Sequence, residues 1–111
     1  MKKFIVLYHA PKSAIKKMQN SSPEEMKKGM EAWMLWAKNC GKNLLDMGNP
    51  VGGGEKISKH GIQMSKSDVN GYSIIQAKDM NDAKKMLKNH PHLNWTADCE
   101  IEVFEMFPMP K

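Results

Sequence analysis

Met1-Lys2-Lys3-Phe4-Ile5-Val6-Leu7-Tyr8-His9 is the stretch on which the reading of the fold turns. From Lys3 to Tyr8 it is an apolar run rich in β-branched and aromatic residues, and Pro11 follows just beyond. A run of that length without polar alternation reads as a strand buried on both faces. Such a strand belongs in the middle of a sheet, covered above and below. Tyr72 to Ala77 is a second strand of the same kind.

Outward from the first strand, Ser22-Pro23-Glu24-Glu25 marks a helix start. Ser stands as N-cap, Pro at the first helical position and Glu at the third, which completes a capping box. Met26, Met30, Trp33, Ala37, Cys40, Leu44 and Met47 then recur at spacings of four and three, predicting one long helix that ends at Gly48-Asn49-Pro50. Gly41 inside it costs about 1 kcal/mol relative to Ala. Trp36 and Met34 fall off the stripe, toward loops or a partner subunit. Val51 to Ile57 has strand character diluted by Gly52-Gly53-Gly54, as expected of an edge strand. No helix start and no Gly-Lys-Ser/Thr follows those glycines, so they are not a phosphate loop. Ile62 to Ser65 returns as a short hairpin arm, and Asp68 to Gly71 is a turn. Asp79 or Asn81 caps a second helix to about Lys88, with Met80, Ala83, Met86 and Leu87 on its buried side and Pro91 as its stop. Cys99, Ile101 and Val103 alternate with Glu100 and Glu102, and Phe104 to Phe107 extends this last strand up to Pro108 and Pro110.

The order β-α-β-(β)-β-α-β is that of an α+β, ferredoxin-like βαββαβ domain. It predicts a four-stranded antiparallel sheet in strand order 4-1-3-2, an extra short hairpin between strands two and three, and two helices on one face. Two helices cover one face only, while strands one and three are apolar on both. A second copy of the same sheet is the simplest cover, so a homodimer through the sheet face is expected.

Composition narrows the function. The chain has 111 residues, 41% apolar and 26% charged, which suits a single ordered domain over 1-111. The first apolar run stops at His9, short of the 7–15 residues of a signal peptide, and nothing approaches the roughly 20 that span a bilayer. The expectation is a cytoplasmic protein without membrane contact, with Cys40 and Cys99 as reduced thiols. The formal charge is +5, yet all seventeen basic residues are Lys. Without the bidentate fork of Arg, and without aromatic residues interleaved among the lysines, nucleic-acid binding is not expected. The eleven methionines read as core packing.

In strand order 4-1-3-2, the ends of strands one and two and the starts of strands three and four share a rim. His9, His60, His90 and His92 all map there, with Asp68 and Asp98. A His-Asp pair drawn from His9, His90 or His92 with Asp68 or Asp98 would suit general acid-base work, the carboxylate fixing the tautomer. Each piece also has a plainer reading: a helix terminus for His90-Pro91-His92, a solvated loop for His60, a turn residue for Asp68. Tyr72 opens strand three near the rim, as core packing or as a hydrogen-bond donor to a ligand. His90 and His92 have His-x-His spacing but no third metal ligand, so neither a metal nor a cofactor is expected. A nucleophile elbow is missing too.

The start Met1 to His9, the Ser22-Pro23-Glu24-Glu25-Met26 opening followed by Trp33, the Gly71-Tyr72-Ser73-Ile74-Ile75 strand, the His90-Pro91-His92-Leu93 segment and Glu100-Ile101-Glu102-Val103 together resemble the YCII-related family. That resemblance implies a dimeric α/β barrel with a His-Asp pair in its cleft. For some members it implies elimination or isomerisation of small ring compounds. Many members carry Asp-Gly-Pro-Phe before the third strand, where this chain has Ser67-Asp68-Val69-Asn70; only Asp68 corresponds. A small-molecule ligand contacting His92 or His9 is the expectation, with a non-catalytic binding or protein-interaction domain as the alternative.

Overall fold

The structure is a computed structural model that describes residues 1–110. The central strand is β1 (Lys2–His9), as its apolar run requires. It is followed by α1 (Lys12–Gln19), α2 (Pro23–Cys40), β2 (Leu44–Asp46), β3 (Glu55–Ser58), β4 (Gly61–Met64), β5 (Val69–Ala77), α3 (Met80–Leu87) and β6 (Glu100–Met106). The architecture is α+β. The order β2-β5-β1-β6 makes a four-stranded sheet, each neighbouring pair antiparallel, while β3 and β4 form a separate two-stranded ribbon.

Several expectations need correction. There are three α-helices among the described residues, not two: α1 follows Pro11, and its short amphipathic turn packs Ala14 and Ile15 against Ala10, Cys99 and Trp95. The long helix does not reach Met47. It starts with the expected capping box but stops at Cys40, because Gly41 takes φ 57° and caps it. A single turn, Gly41–Asn43, then reverses the chain into β2, which supplies the sheet's second strand with Leu44 opposite Ile75. Val51 to Ile57 is thus not that strand; only its end, from Glu55, is extended, and it pairs with β4 alone. Val69 to Gly71 belongs to β5 rather than to a turn.

The buried stripe on α2 keeps the expected Trp33, Ala37 and Cys40, gains Trp36 and loses its first turns. Trp33, Trp36, Ala37 and Cys40 face the core, with Trp36 7% exposed, whereas Met26 and Met30 are 57% and 60% exposed. Trp36 Nε1 donates to Met86 O at 2.9 Å, tying α2 to α3. Under these helices Phe4, Val6, Tyr8, Ile75, Ala77, Ala83 and Leu87 form the core. Alternation along the strands puts Ile5, Leu7, Tyr72, Ile74, Leu45, Phe104 and Met106 on the other face of the sheet. No helix of the chain's described residues covers that face, and the molecule is a slab of 46 × 44 × 20 Å. Among the described residues no helix is long and apolar enough to cross a membrane.

Candidate functional site

His9 ends β1, and its surroundings are set by an irregularity in the sheet. Tyr8 pairs with Gly71 but His9 pairs with Val69, so one extra residue of β5 bulges between them. A bulge re-aims the chain on either side of it. Here it draws Asp68 alongside, with Ala10 N donating to Asp68 O at 2.9 Å. Ser65 and Ser67 hold the approach through hydroxyl-to-backbone turns: Ser67 N donates to Ser65 Oγ at 3.1 Å and Val69 N to Ser67 Oγ at 3.2 Å.

The result is a close pair. His9 Nδ1 lies 2.5 Å from Asp68 Oδ1. From the other side β6 contributes Glu102, which sits opposite Leu7 and therefore diagonal to His9. Glu102 Oε1 is 2.6 Å from His9 Nε2, an ion-pair distance without hydrogen-bond alignment. The imidazole is 15% exposed, and the two carboxylates about half exposed at 49% and 52%. Burial of the ring opposes its charge and is the largest single influence. The hydrogen bond to Asp68 and the adjacent charges of Asp68 and Glu102 together outweigh it and leave the His9 pKa raised.

His90 and His92 lie on the helix side of the sheet, in and around the turn Pro91–Asn94. His90 is fully buried. Its ring centroid is 4.4 Å from that of Trp33, 4.3 Å from Trp36 and 4.9 Å from Tyr8. Nδ1 accepts from His92 N at 2.9 Å, capping the turn, while Nε2 has no hydrogen-bond partner among the described residues. Burial, and then the neighbouring His92, push its pKa down to about 3, so the ring stays neutral. His92 Nε2 lies 2.8 Å from His9 O and, as donor, holds the strand end from beneath. Burial lowers its pKa as well. The three histidines thus meet at one end of the sheet. Only His9 presents its ring on the bare face, and His92 reaches it through the backbone.

His60 is not at that rim: it sits exposed at the tip of the ribbon, since the strand it was expected to follow is not in the main sheet. Asp98 is exposed in the turn before β6, and among the described residues it makes no hydrogen bond with a histidine. Tyr72 is half-buried opposite Leu7, on the same face as His9. A metal has no room between His9 and its carboxylates at 2.5 and 2.6 Å, and His90 and His92 spend their facing nitrogens on backbone groups.

Sequence reasoning missed Glu102, treating it as the solvent side of an alternating strand; the signal was its antiparallel register against His9. It also missed Ser73. Ser73 Oγ donates to Met47 O at 2.8 Å and lies 2.8 Å from Tyr8 Oη, so the buried phenol donates to the serine. Burial raises the Tyr8 pKa, which keeps that donor protonated. A groove of about 440 Å³ opens elsewhere, between α2, α3 and Pro91, lined by Leu35, Trp36, Cys40 and Met86 and not by His9.

These features define a class: an α+β domain whose antiparallel sheet carries an imidazole between two carboxylates at one end of a bare face. No family model matches the chain, and no curated protein matches it significantly.

Proposed function

We propose that this chain is a YCII-like, cytoplasmic, ferredoxin-like domain that pairs through its bare sheet face into a dimeric α/β barrel. In the cleft between the sheets it would bind a small organic molecule and move a proton on it, as a lyase or isomerase does. The observation that carries the reading is the His9–Asp68 contact of 2.5 Å on that face. Counted along the chain, the four strands of the sheet run 2-3-1-4, which is the ferredoxin-like order read from the other edge and supports the fold assignment.

The roles follow from geometry. Asp68 holds Nδ1–H and fixes the tautomer, and Nε2, which Glu102 covers at 2.6 Å, becomes the ligand's position when the half-exposed Glu102 side chain swings aside. The neutral ring takes a proton there, and the imidazolium returns it at a second position. Glu102, half exposed beside the ring, takes no proton in this cycle; its charge stabilises the imidazolium while the proton is held. Leu7 and Tyr72 supply an apolar wall with one hydroxyl. His90 and His92 support the site without entering it, His92 by holding the His9 carbonyl.

A non-catalytic binding or interaction domain is the second reading. It is favoured by the groove at α2 and α3, which lies away from His9.

NMR titration of the imidazoles tests the pair. His9 is expected to titrate above 6.5. Asp68→Asn removes the hydrogen bond and charge that outweigh burial, so the midpoint is expected to fall. In D2O, the wild type is expected to exchange α-protons of small cyclic ketones or lactones, and His9→Gln to lose about 100-fold or more of that rate. A His9 midpoint indifferent to Asp68→Asn would remove the pair and the acid-base reading with it.

A further inference from the structure

The ribbon β3–β4 has two unlike sides. Ile57 pairs with Ile62 and Glu55 with Met64, so these four share one side, while Lys56, Gln63 and Ser58 take the other. Ile57, Ile62 and Met64 are 78%, 64% and 82% exposed, and every residue of both strands is exposed. A lone two-stranded hairpin is marginal in water. A one-sided row of large aliphatic groups on such a hairpin marks a contact surface. The arm projects: the radius of gyration is 15.5 Å, against about 13 Å for a compact chain of this length.

The ribbon is rooted beside the site. Its entry is tied to β5 by the Pro50–Gly71 bridge and by Val51 N donating to Asn70 O at 3.0 Å. Its exit runs through Ser65 and Ser67 to Asp68, the partner of His9. The ribbon and its exit carry Lys56, Lys59 and Lys66 against the single acid Glu55. The sheet end around His9 carries Asp68, Asp98, Glu100 and Glu102, all exposed in this chain. A basic arm and an acidic rim on one chain, the rim left uncovered by its own arm, are self-complementary, as a two-fold interface requires.

We propose that the ribbon is an exchange arm. In the dimer it crosses to the second copy, seats Ile57, Ile62 and Met64 on the margin of the sheet face at its His9 end, beyond the paired centre, and sets its lysine-bearing tip over the acidic rim. The His9 cleft of each subunit is closed by the arm of the other. This rests on the sheet-face pairing proposed above and on no catalytic role for His9.

The test mixes unlabelled and 15N-labelled protein, lets subunits exchange, and applies a zero-length carbodiimide. Cross-linked peptides joining Lys59, at the tip, to Glu100 or Glu102 are expected as light–heavy hybrids, which only a crossing arm produces. In parallel, Ile57→Asp combined with Ile62→Asp, on an exposed ribbon whose loss leaves the core intact, is expected to raise the dimer Kd by about tenfold or more. Light–light and heavy–heavy pairs alone would mean that the arm folds back on its own rim, and would overturn the proposal. So would absence of these cross-links together with an unchanged Kd in the double variant, which would leave the ribbon to a different partner while the dimer stands. A mass of 12.6 kDa for the wild type at all concentrations would instead defeat the sheet-face pairing itself.

Discussion

His90 carries no exposed surface, and its neutral ring is packed by Tyr8, Trp33 and Trp36. Unfolded, it titrates near 6.5; folded, at about 3. Between those values the unfolded chain holds more protons, so acid withdraws stability, on the order of a few kcal/mol. His92, also lowered, acts in the same direction. His9 acts oppositely: its pKa is raised, so its contribution is full below the unfolded value and fades as pH rises through the folded one. The two buried rings dominate below pH 6. We expect the urea midpoint to fall from pH 6.5 toward pH 4, and His90→Asn, which keeps an acceptor for His92 N, to flatten most of that fall. At pH 7 the same variant should lose about 3 kcal/mol through the cavity left among the aromatic rings. An unchanged acid slope would show that His90 is not the group responsible. None of this was legible beforehand: His90-Pro91-His92 looked like a shared-rim base or a helix terminus, because a sequence does not say which side of the sheet a loop histidine enters.

Two glycines at the ends of β2 separate backbone demand from steric demand. Gly41, at φ 57° and ψ −131°, has open space where a Cβ would stand, so Gly41→Ala should cost backbone strain alone, about 1–3 kcal/mol. Gly48, at φ 77°, would bring a Cβ to 1.7 Å from Tyr72 O, and Gly48→Ala should cost more than about 3 kcal/mol. Thermal or urea unfolding of the two variants checks the order; equal losses would contradict it. The same region shows why the long helix was overread. Cys40, Leu44 and Met47 continue a helical spacing by coincidence, across a glycine that ends the helix. Leu44 is apolar because it packs beside Ile75 in the sheet, and a three-residue strand has too little alternation to announce itself. The capping box at Ser22, by contrast, was readable, and the second cap was narrowed to Asp79 or Asn81, of which the structure uses Asp79, since each is a local hydrogen bond between residues three apart.

A slab 20 Å thick is one layer of sheet and one of helix. Its bare face carries Ile5, Leu7, Ile74, Tyr72, Leu45 and Phe104, and burying each such side chain is worth roughly 1.5–3 kcal/mol. We expect light scattering to give about twice 12.6 kDa for the wild type and 12.6 kDa for Ile74→Asp. The change should weaken pairing at the face centre without touching the helix-side core. A dimer that survives Ile74→Asp would place the interface elsewhere.

Strand β1, its central place and the two-sided greasiness of the sheet were determined by the sequence alone, because uninterrupted apolar runs and local caps are properties of neighbouring residues. Which partners His9 takes, the burial of Trp36 on α2 and the identity of the sheet's second strand were decided only in three dimensions. Each depends on register between segments far apart in the chain, and a single bulged residue in β5 was enough to bring Asp68 to His9.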